Sequence, residues 1–207
     1  MSRQFPYKLY LVISEDACAG RDVVWVAEQA VLGGVDLVQI REKTKTASEF
    51  IEITLRLKQM LDKYSVPLIV NDNLAVAMHC NAYGNSDIPP SKIRQLWPNC
   101  RMLGYSIEYI EQFFNSEIQH ADCLGISPVF GSTTKTDTVT EWGLDGLLKI
   151  RALTSKPLVA IGNINADNAV EVIRAGADCL AVVSAICGAD DPKKAAALLR
   201  AQIEKTL

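Results

Sequence analysis

Apolar residues along the chain come in short unbroken runs, separated by longer stretches with helical spacing. "KLYLVIS" (8–14), "DLVQI" (36–40), "PLIV" (67–70), "MLGYS" (102–106), "CLGIS" (123–127), "LVAI" (158–161) and "CLAVV" (179–183) each read as a strand. Runs this short, apolar throughout rather than alternating, suit strands buried on both faces. Between them, Asp22 is placed to cap "VVWVAEQAVL", which closes on Gly33-Gly34 as a helix should. Thr46-x-x-Glu49 is a capping-box pattern opening a long helix to about Tyr64. "LAVAMHC" reads as a short helix, and Pro89-Pro90 as the start of another. Helices are expected between the remaining strands and after the last. Buried strands alternating with helices predict a parallel sheet covered on both faces. Seven strands of this kind point to a (β/α)8 TIM barrel in a single domain over residues 1–207, with one strand unread. A doubly wound open sheet is the alternative.

The pattern has two irregularities. "GGVDLVQI", "HADCLGIS" and "GADCLAVV" form a weak internal repeat, each setting an Asp just before a buried strand. The unread strand belongs between "LAVAMHC" and Pro89-Pro90, where only "NAYGNSDI" stands.

Composition narrows the partners. Hydrophobic residues make up 49% and charged residues 22%, so a sizeable core is available. A net charge of -3 gives no reason to expect a nucleic-acid or membrane surface, and any anion site must be a local cluster of cations. Six cysteines are scattered without a C-x-x-C pair, which predicts buried free thiols in a reducing cytosol. "LYLVIS" runs straight into Glu15 and Asp16, unlike a signal peptide, and no apolar run reaches the roughly 18 residues of a membrane span. A cytoplasmic location follows as the expectation.

In a barrel of this type the chemistry sits at the C-terminal ends of the strands. After the second strand come Gln39, Arg41 and Lys43, and after the third Asn71, Asp72 and Asn73. Ser106 ends "MLGYS", and "SPVFGSTTKTDTVTEWG" follows "CLGI" with Lys135 and Asp137 in it. "GNIN" follows "LVAI", and "SAI" follows "CLAVV". Each piece alone has a plain reading. Arg41 and Lys43 can pair with Glu42 at a wet rim, "NDN" can be a turn and helix cap, "STTKTD" a surface loop, and Gly162 a turn glycine. Recurrence after six strands is harder to explain by solvation. His79 and His120 fall in helical segments away from the strand ends and read as structural or surface residues. Trp25, Trp97 and Trp142 read as packing residues. A rim of cations, one or two carboxylates, hydroxyls and a glycine-containing turn suits a diphosphate with Mg²⁺, plus a second phosphorylated compound near the last two strands.

"VQIREK", "IVNDN", "GISPVFGSTTKTD", "WGLDGL" and "AIGNINADNAVEVIRAGADCLAVVSAI" stand in the order seen in the thiamine phosphate synthase family, which this chain resembles from about Leu9 to Ile186. The resemblance implies a (β/α)8 barrel that couples a hydroxymethylpyrimidine diphosphate to a thiazole phosphate and releases pyrophosphate. It implies that Gln39, Arg41, Lys43 and Asn71 bind the pyrimidine diphosphate. Asp72 and Asp87 hold Mg²⁺, and Ser106 and Lys135 contact pyrophosphate. Ser132 and Thr134 contact the thiazole phosphate side, and Gly162, Val183 and Ser184 form its phosphate nest. Arg41, Lys43 and Lys135 are the catalytic cations of this set. The partners implied are small molecules, and a homo-oligomer is left open. Ser132 stands in place of the commoner Thr, and Asn163 in place of a Gly. The related thiazole tautomerase uses a histidine just after strand 6, where this chain has Pro128. A catalytically silent ligand-binding barrel is the other alternative.

The chief departure is the fourth strand. The family has a segment of the type "GVHLG" before its "Q-x-D", and "AYGNSD" is several residues too short. The expectation is a fourth strand shortened or missing, with residues lost or omitted between Gly84 and Asn85. A strand lost outright would leave two unpaired sheet edges.

Overall fold

The Asp22 carboxylate accepts hydrogen bonds from the N–H groups of Val24 and Trp25, both at 2.9 Å, and so starts the first helix. The Thr46 hydroxyl and Glu49 carboxylate cap each other's backbone, as the spacing requires. The computed structural model describes residues 5–85, 88–131 and 141–206. Among these, eight parallel strands close into a barrel in the order β1 to β8, with β8 pairing back to β1. The elements run β1 (Leu9–Ile13), α1 (Val23–Leu32), β2 (Leu37–Ile40), α2 (Ala47–Asp62), β3 (Leu68–Asn71), α3 (Leu74–His79), β4 (Tyr83–Asn85) and α4 (Pro90–Leu96). They continue with β5 (Leu103–Ile107), β6 (Cys123–Ile126), α5 (Gly143–Leu153), β7 (Leu158–Ile161), α6 (Ala169–Arg174), β8 (Cys179–Val182), α7 (Ser184–Cys187) and α8 (Pro192–Glu204). The seven strands read from the sequence are all present within a residue or two. The closed ring excludes the open sheet.

No α-helix lies between β5 and β6. Two 3-10 turns, Ile110–Phe114 and Ser116–His120, take its place. Side chains hold that connection where a helix would use its own ladder. Gln112 Oε1 accepts from the Glu108 N–H at 2.6 Å, and Glu117 accepts from the backbone and hydroxyl of Ser91 at the start of α4.

Strand residues alternate between two cores. Leu9, Leu11 and Ile13 of β1 face the helices, with Val38 and Ile40. Tyr10, Val12, Leu37, Ile69, Cys123, Val159, Cys179 and Ala181 face the barrel axis. All six cysteines are free and buried. Trp97 and Trp142 pack against the core, but Trp25 is 44% exposed. The cap at Asp22 phases α1 so that Val23, Val26, Ala27 and Ala30 face inward, which turns Trp25 out. No helix among the described residues is long and apolar enough to cross a membrane.

The internal repeat becomes a repeated clamp at the end of the barrel away from the site. Asp36 accepts from Leu9 N at 3.0 Å and from Arg200 of α8 at 2.7 Å. Asp122 accepts from Leu103 N at 2.8 Å and from Arg94 of α4 at 2.5 Å. Asp178 accepts from Leu158 N at 2.8 Å and from Arg151 of α5 at 2.9 Å. Each Asp precedes an even strand, pairs the first N–H of the odd strand before it, and ties in a helix. At the corresponding place before β4 stands Ala82, so that quarter of the barrel has no such clamp.

β4 is shortened but not missing. Tyr83, Gly84 and Asn85 are continuous, and β4 pairs with both β3 and β5, so no edges open. Only eleven residues link Asn71 to Tyr83, and α3 is six residues long. About 10–12 residues is the least that a parallel crossover needs.

Candidate active site

A cavity of about 940 Å³ opens at the C-terminal ends of the strands and reaches down the barrel axis. Gln39, Arg41, Lys43, Asn71, Asp72, Ser106, Gly162, Val183 and Ser184 all line it. Asp87, Ser132, Thr134 and Lys135 lie outside the described residues.

The β2 end supplies the cations. Arg41 N donates to Ile13 O at 2.9 Å, so the strand direction persists to Arg41, and Lys43 follows on an exposed bend. Glu42 turns toward the β1 loop instead. Its Oε1 accepts from Glu15 N at 2.7 Å, and Glu15 pairs with Lys45 at 2.5 Å. Burial pushes the Glu42 carboxyl above its ordinary value, against the hydrogen bond from Glu15 and the charge of Lys45. Sequence reasoning had counted Glu42 only as a counter-ion. Its place beside the cations is decided by which way the β1 loop runs.

"NDN" divides its labour. Asn71 and Asp72 line the cavity, while Asn73 Oδ1 accepts from Val76 N at 3.0 Å and caps α3. Asp72 sits at φ +57°, spanned by a 2.7 Å bond from Asn73 N to Asn71 O. That left-handed turn is one Asp tolerates better than most residues. The Asn71 amide donates to the Asp72 carboxylate. The turn and cap reading holds for Asn73, while Asn71 and Asp72 reach the cavity.

Across the cavity, Gly162 has φ +119°, and a Cβ there would lie 2.7 Å from Pro128 Cβ and 2.8 Å from Val129 N. Only glycine allows β7 to end against the β6 loop, where Val129 N and Phe130 N bond Ile161 O and Gly162 O. Asn163 follows at φ +49°, and its carbonyl accepts from Asn168 Nδ2 at 3.0 Å. Val183 and Ser184 begin α7, which Arg21 holds by donating to Cys187 O and, at 2.7 Å, to Ala189 O.

Deeper in the cavity, Gln39 Nε2 donates to the Tyr10 hydroxyl at 2.7 Å, and both side chains are buried. Burial, then the Cys123 and Cys179 thiols, raise the Tyr10 hydroxyl well above its ordinary value. Burial pushes Cys123 up to about 12 and raises Cys179 as well. The floor is thus neutral and the rim charged. Tyr10 and Glu108 also line the cavity and went unread in the sequence. Tyr10 lies inside an apolar run, where nothing local marks it as functional.

Asp72 stands beside Arg41 and Lys43 on the cavity wall, and the described residues contain no group of three or more His, Cys, Asp and Glu able to hold a metal. The Asp72 carboxylate is a hard oxygen donor of the kind that would hold Mg²⁺, which takes one or two carboxylates and completes its shell with phosphate oxygens and water.

A closed parallel barrel with Arg41, Lys43, several carboxylates and Gly162 around one cavity at the strand ends defines a class: a (β/α)8 enzyme acting on small molecules. The family model described as thiamine monophosphate synthase matches residues 9–186. The thiamine-phosphate synthase of Albidiferax ferrireducens is 45% identical over 201 residues, covering 95% of this chain and 92% of the relative. That of Chloroflexus aurantiacus is 42% identical over 204 residues, covering 97% and 94%. The solved structure of a thiamine phosphate pyrophosphorylase from Pyrococcus furiosus superposes with a TM-score of 0.88 at 33% identity, covering 98% of both chains. The chain belongs to the thiamine monophosphate synthase family, whose members are transferases.

Proposed function

We propose that this chain couples 4-amino-5-hydroxymethyl-2-methylpyrimidine diphosphate to a thiazole phosphate, giving thiamine phosphate and pyrophosphate. The observation that carries this reading is one cavity that gathers Gln39, Arg41, Lys43, Asn71, Asp72 and Ser106 from the ends of β2, β3 and β5 with Gly162, Val183 and Ser184 from the ends of β7 and β8. A cavity of this size has room for two small phosphorylated ligands together. Arg41 and Lys43 hold the diphosphate and offset the charge that develops on it as the carbon–oxygen bond breaks. Mg²⁺, when bound at Asp72 and Asp87, supplies further charge neutralisation on the leaving group. The electron-rich aminopyrimidine carries the benzylic cation, and Gly162 and the start of α7 hold the thiazole phosphate so that its ring nitrogen faces that carbon. Lys135 and Ser106 take the departing pyrophosphate, and Ser132 and Thr134 the thiazole phosphate side. No nucleophilic side chain is required.

Neither histidine lines the cavity: His79 ends α3 and His120 ends the second 3-10 turn. That weighs against tautomerase chemistry of the histidine-dependent kind. Six free, buried thiols accord with a cytoplasmic location. The test is pyrophosphate release with each substrate and Mg²⁺ supplied singly and together. Release only from the full set is expected. Binding without turnover would favour a silent ligand-binding barrel, and isomerisation of a thiazole carboxylate phosphate without coupling would favour the tautomerase.

A further inference from the structure

Gln39 and Tyr10 stand apart from the rest of the barrel interior. Gln39 is 4% exposed, and the one other buried polar side chain among the described residues, Thr54, is satisfied by its own helix at Phe50 O. Val12 of β1 lies opposite Gln39, and Tyr10 sits two residues earlier on the same inward face, so the pair crosses diagonally at 2.7 Å. The hydroxyl takes one amide proton. The amide carbonyl and its second N–H have no other partner among the described residues, and both side chains line the cavity. Among the described residues the one buried side-chain polar atom without a partner is Trp142 Nε1, so the unused Gln39 groups open onto the cavity, where a polar ligand edge can meet them. The walls around it are Leu37, Ile69, Val159 and Ala181, which suit a flat neutral ring. Arg41 lies two residues farther along the same strand, about 6–7 Å nearer the rim.

We infer that Tyr10 is a positioning residue that sets the specificity of the proposed reaction for an amino-substituted pyrimidine. With the amide nitrogen fixed on the Tyr10 hydroxyl, Gln39 turns its carbonyl oxygen to the cavity. An acceptor there matches an exocyclic amino group and opposes a carbonyl oxygen at the same ring position. The second amide N–H lies beside it and matches the adjacent ring nitrogen. The tyrosine does this as a neutral group, because burial keeps its proton on. Freed from the hydroxyl, the amide can rotate and present its NH₂ instead, and the preference weakens or reverses.

This inference rests on the coupling reaction above, and its test separates the two. The 4-amino pyrimidine diphosphate and its 4-oxo counterpart are compared in wild type and Tyr10→Phe, by kcat/KM for pyrophosphate release and by calorimetric Kd. The wild type should favour the amino compound in both measures. Tyr10→Phe keeps the ring and loses the acceptor. It should lower the amino-to-oxo ratio by about three- to tenfold, the worth of one ordinary hydrogen bond, mainly through KM. Gln39→Ala placed on Tyr10→Phe should add little further loss, since the two act as one unit. An unchanged ratio in a folded Tyr10→Phe overturns the inference. Should that variant not fold, a wild type that takes both compounds equally overturns it on its own. Amino-selective binding with no pyrophosphate release in the wild type overturns the coupling reaction and leaves the recognition role standing.

Discussion

Lys43 ends an extended stretch at the rim, exposed and lining the cavity, with no helix or sheet to justify a cation there. Its proposed task is to hold charge on the leaving pyrophosphate. Lys43→Ala should therefore lower kcat by about 10²–10³, the loss typical of one such donor, with little change in thiazole phosphate affinity measured by calorimetry. Arg41→Lys should also lose rate, because a two-pronged donor becomes a point charge. Full activity in both variants would reduce the pair to rim solvation. Glu42 makes a different prediction. Desolvation holds its folded carboxyl above the ordinary value of 4.5, outweighing the Glu15 hydrogen bond and Lys45, with Glu15 and Asp16 adding to the rise. Between 4.5 and that raised value the native chain binds the extra proton, so stability falls as pH rises through this window. Glu42→Gln keeps an acceptor for Glu15 N and removes this contribution. Melting temperatures across the window should decline less steeply in the variant than in the wild type, and matching slopes would show that the carboxylate is not desolvated.

The three Asp–Arg clamps explain at the level of elements why a weak repeat persists in a sequence. Each carboxylate pairs an otherwise open strand-end N–H and binds an arginine that ties a helix to the sheet. Gly34 and Gly176, at φ +106° and +109°, leave room for the Arg200 and Arg151 stems that a Cβ would meet at 3.1 and 2.5 Å. Asp178→Ala strips one of these clamps, leaving Leu158 N without its partner and the Arg151 charge uncompensated. Chemical denaturation should show a loss of about 1–3 kcal/mol, the cost of an unpaired polar group, while kcat per folded molecule holds. Lost activity at unchanged stability would mean that this end of the barrel communicates with the site. The β3–α3–β4 unit lacks a clamp and uses near the minimum crossover length.

For the whole molecule, the proposed metal and the diphosphate are one question. Asp72 closes β3 on the cavity wall, and Asp87, outside the described residues, is its proposed partner. A ligand bound only to the folded chain raises its stability by mass action, about 2.7 kcal/mol at a hundred times its Kd. Mg²⁺ with pyrophosphate should therefore raise the melting temperature of the wild type more than the two added separately. Asp72→Asn should abolish that joint shift, and Asp87→Asn should weaken it. An unchanged joint shift in Asp72→Asn would undo the diphosphate reading, whereas one confined to Asp87→Asn would remove that residue alone.

Much of this protein was legible in its residue order. Unbroken apolar runs of four or five residues leave a buried parallel strand as the economical reading, and their alternation with capped helices makes a barrel. Gln39, Arg41, Lys43, Asn71, Asp72, Ser106, Gly162, Val183 and Ser184 could be placed on the cavity because each lies at or just past the end of a strand already located. What the sequence could not decide depends on contacts between distant strands. Tyr10 and Gln39 are 29 residues apart and become partners only through the diagonal register of β1 and β2. Whether a fourth strand forms at all could not be read from "AYGNSD", which carries no mark of which residues pair. The sheet decides it, since β4 must satisfy the backbone of β3 and β5 at once, and Tyr83 to Asn85 does so. Local pattern determines which segments are strands and where they end. Backbone hydrogen bonds across the closed ring determine register, and register decides which side chains meet.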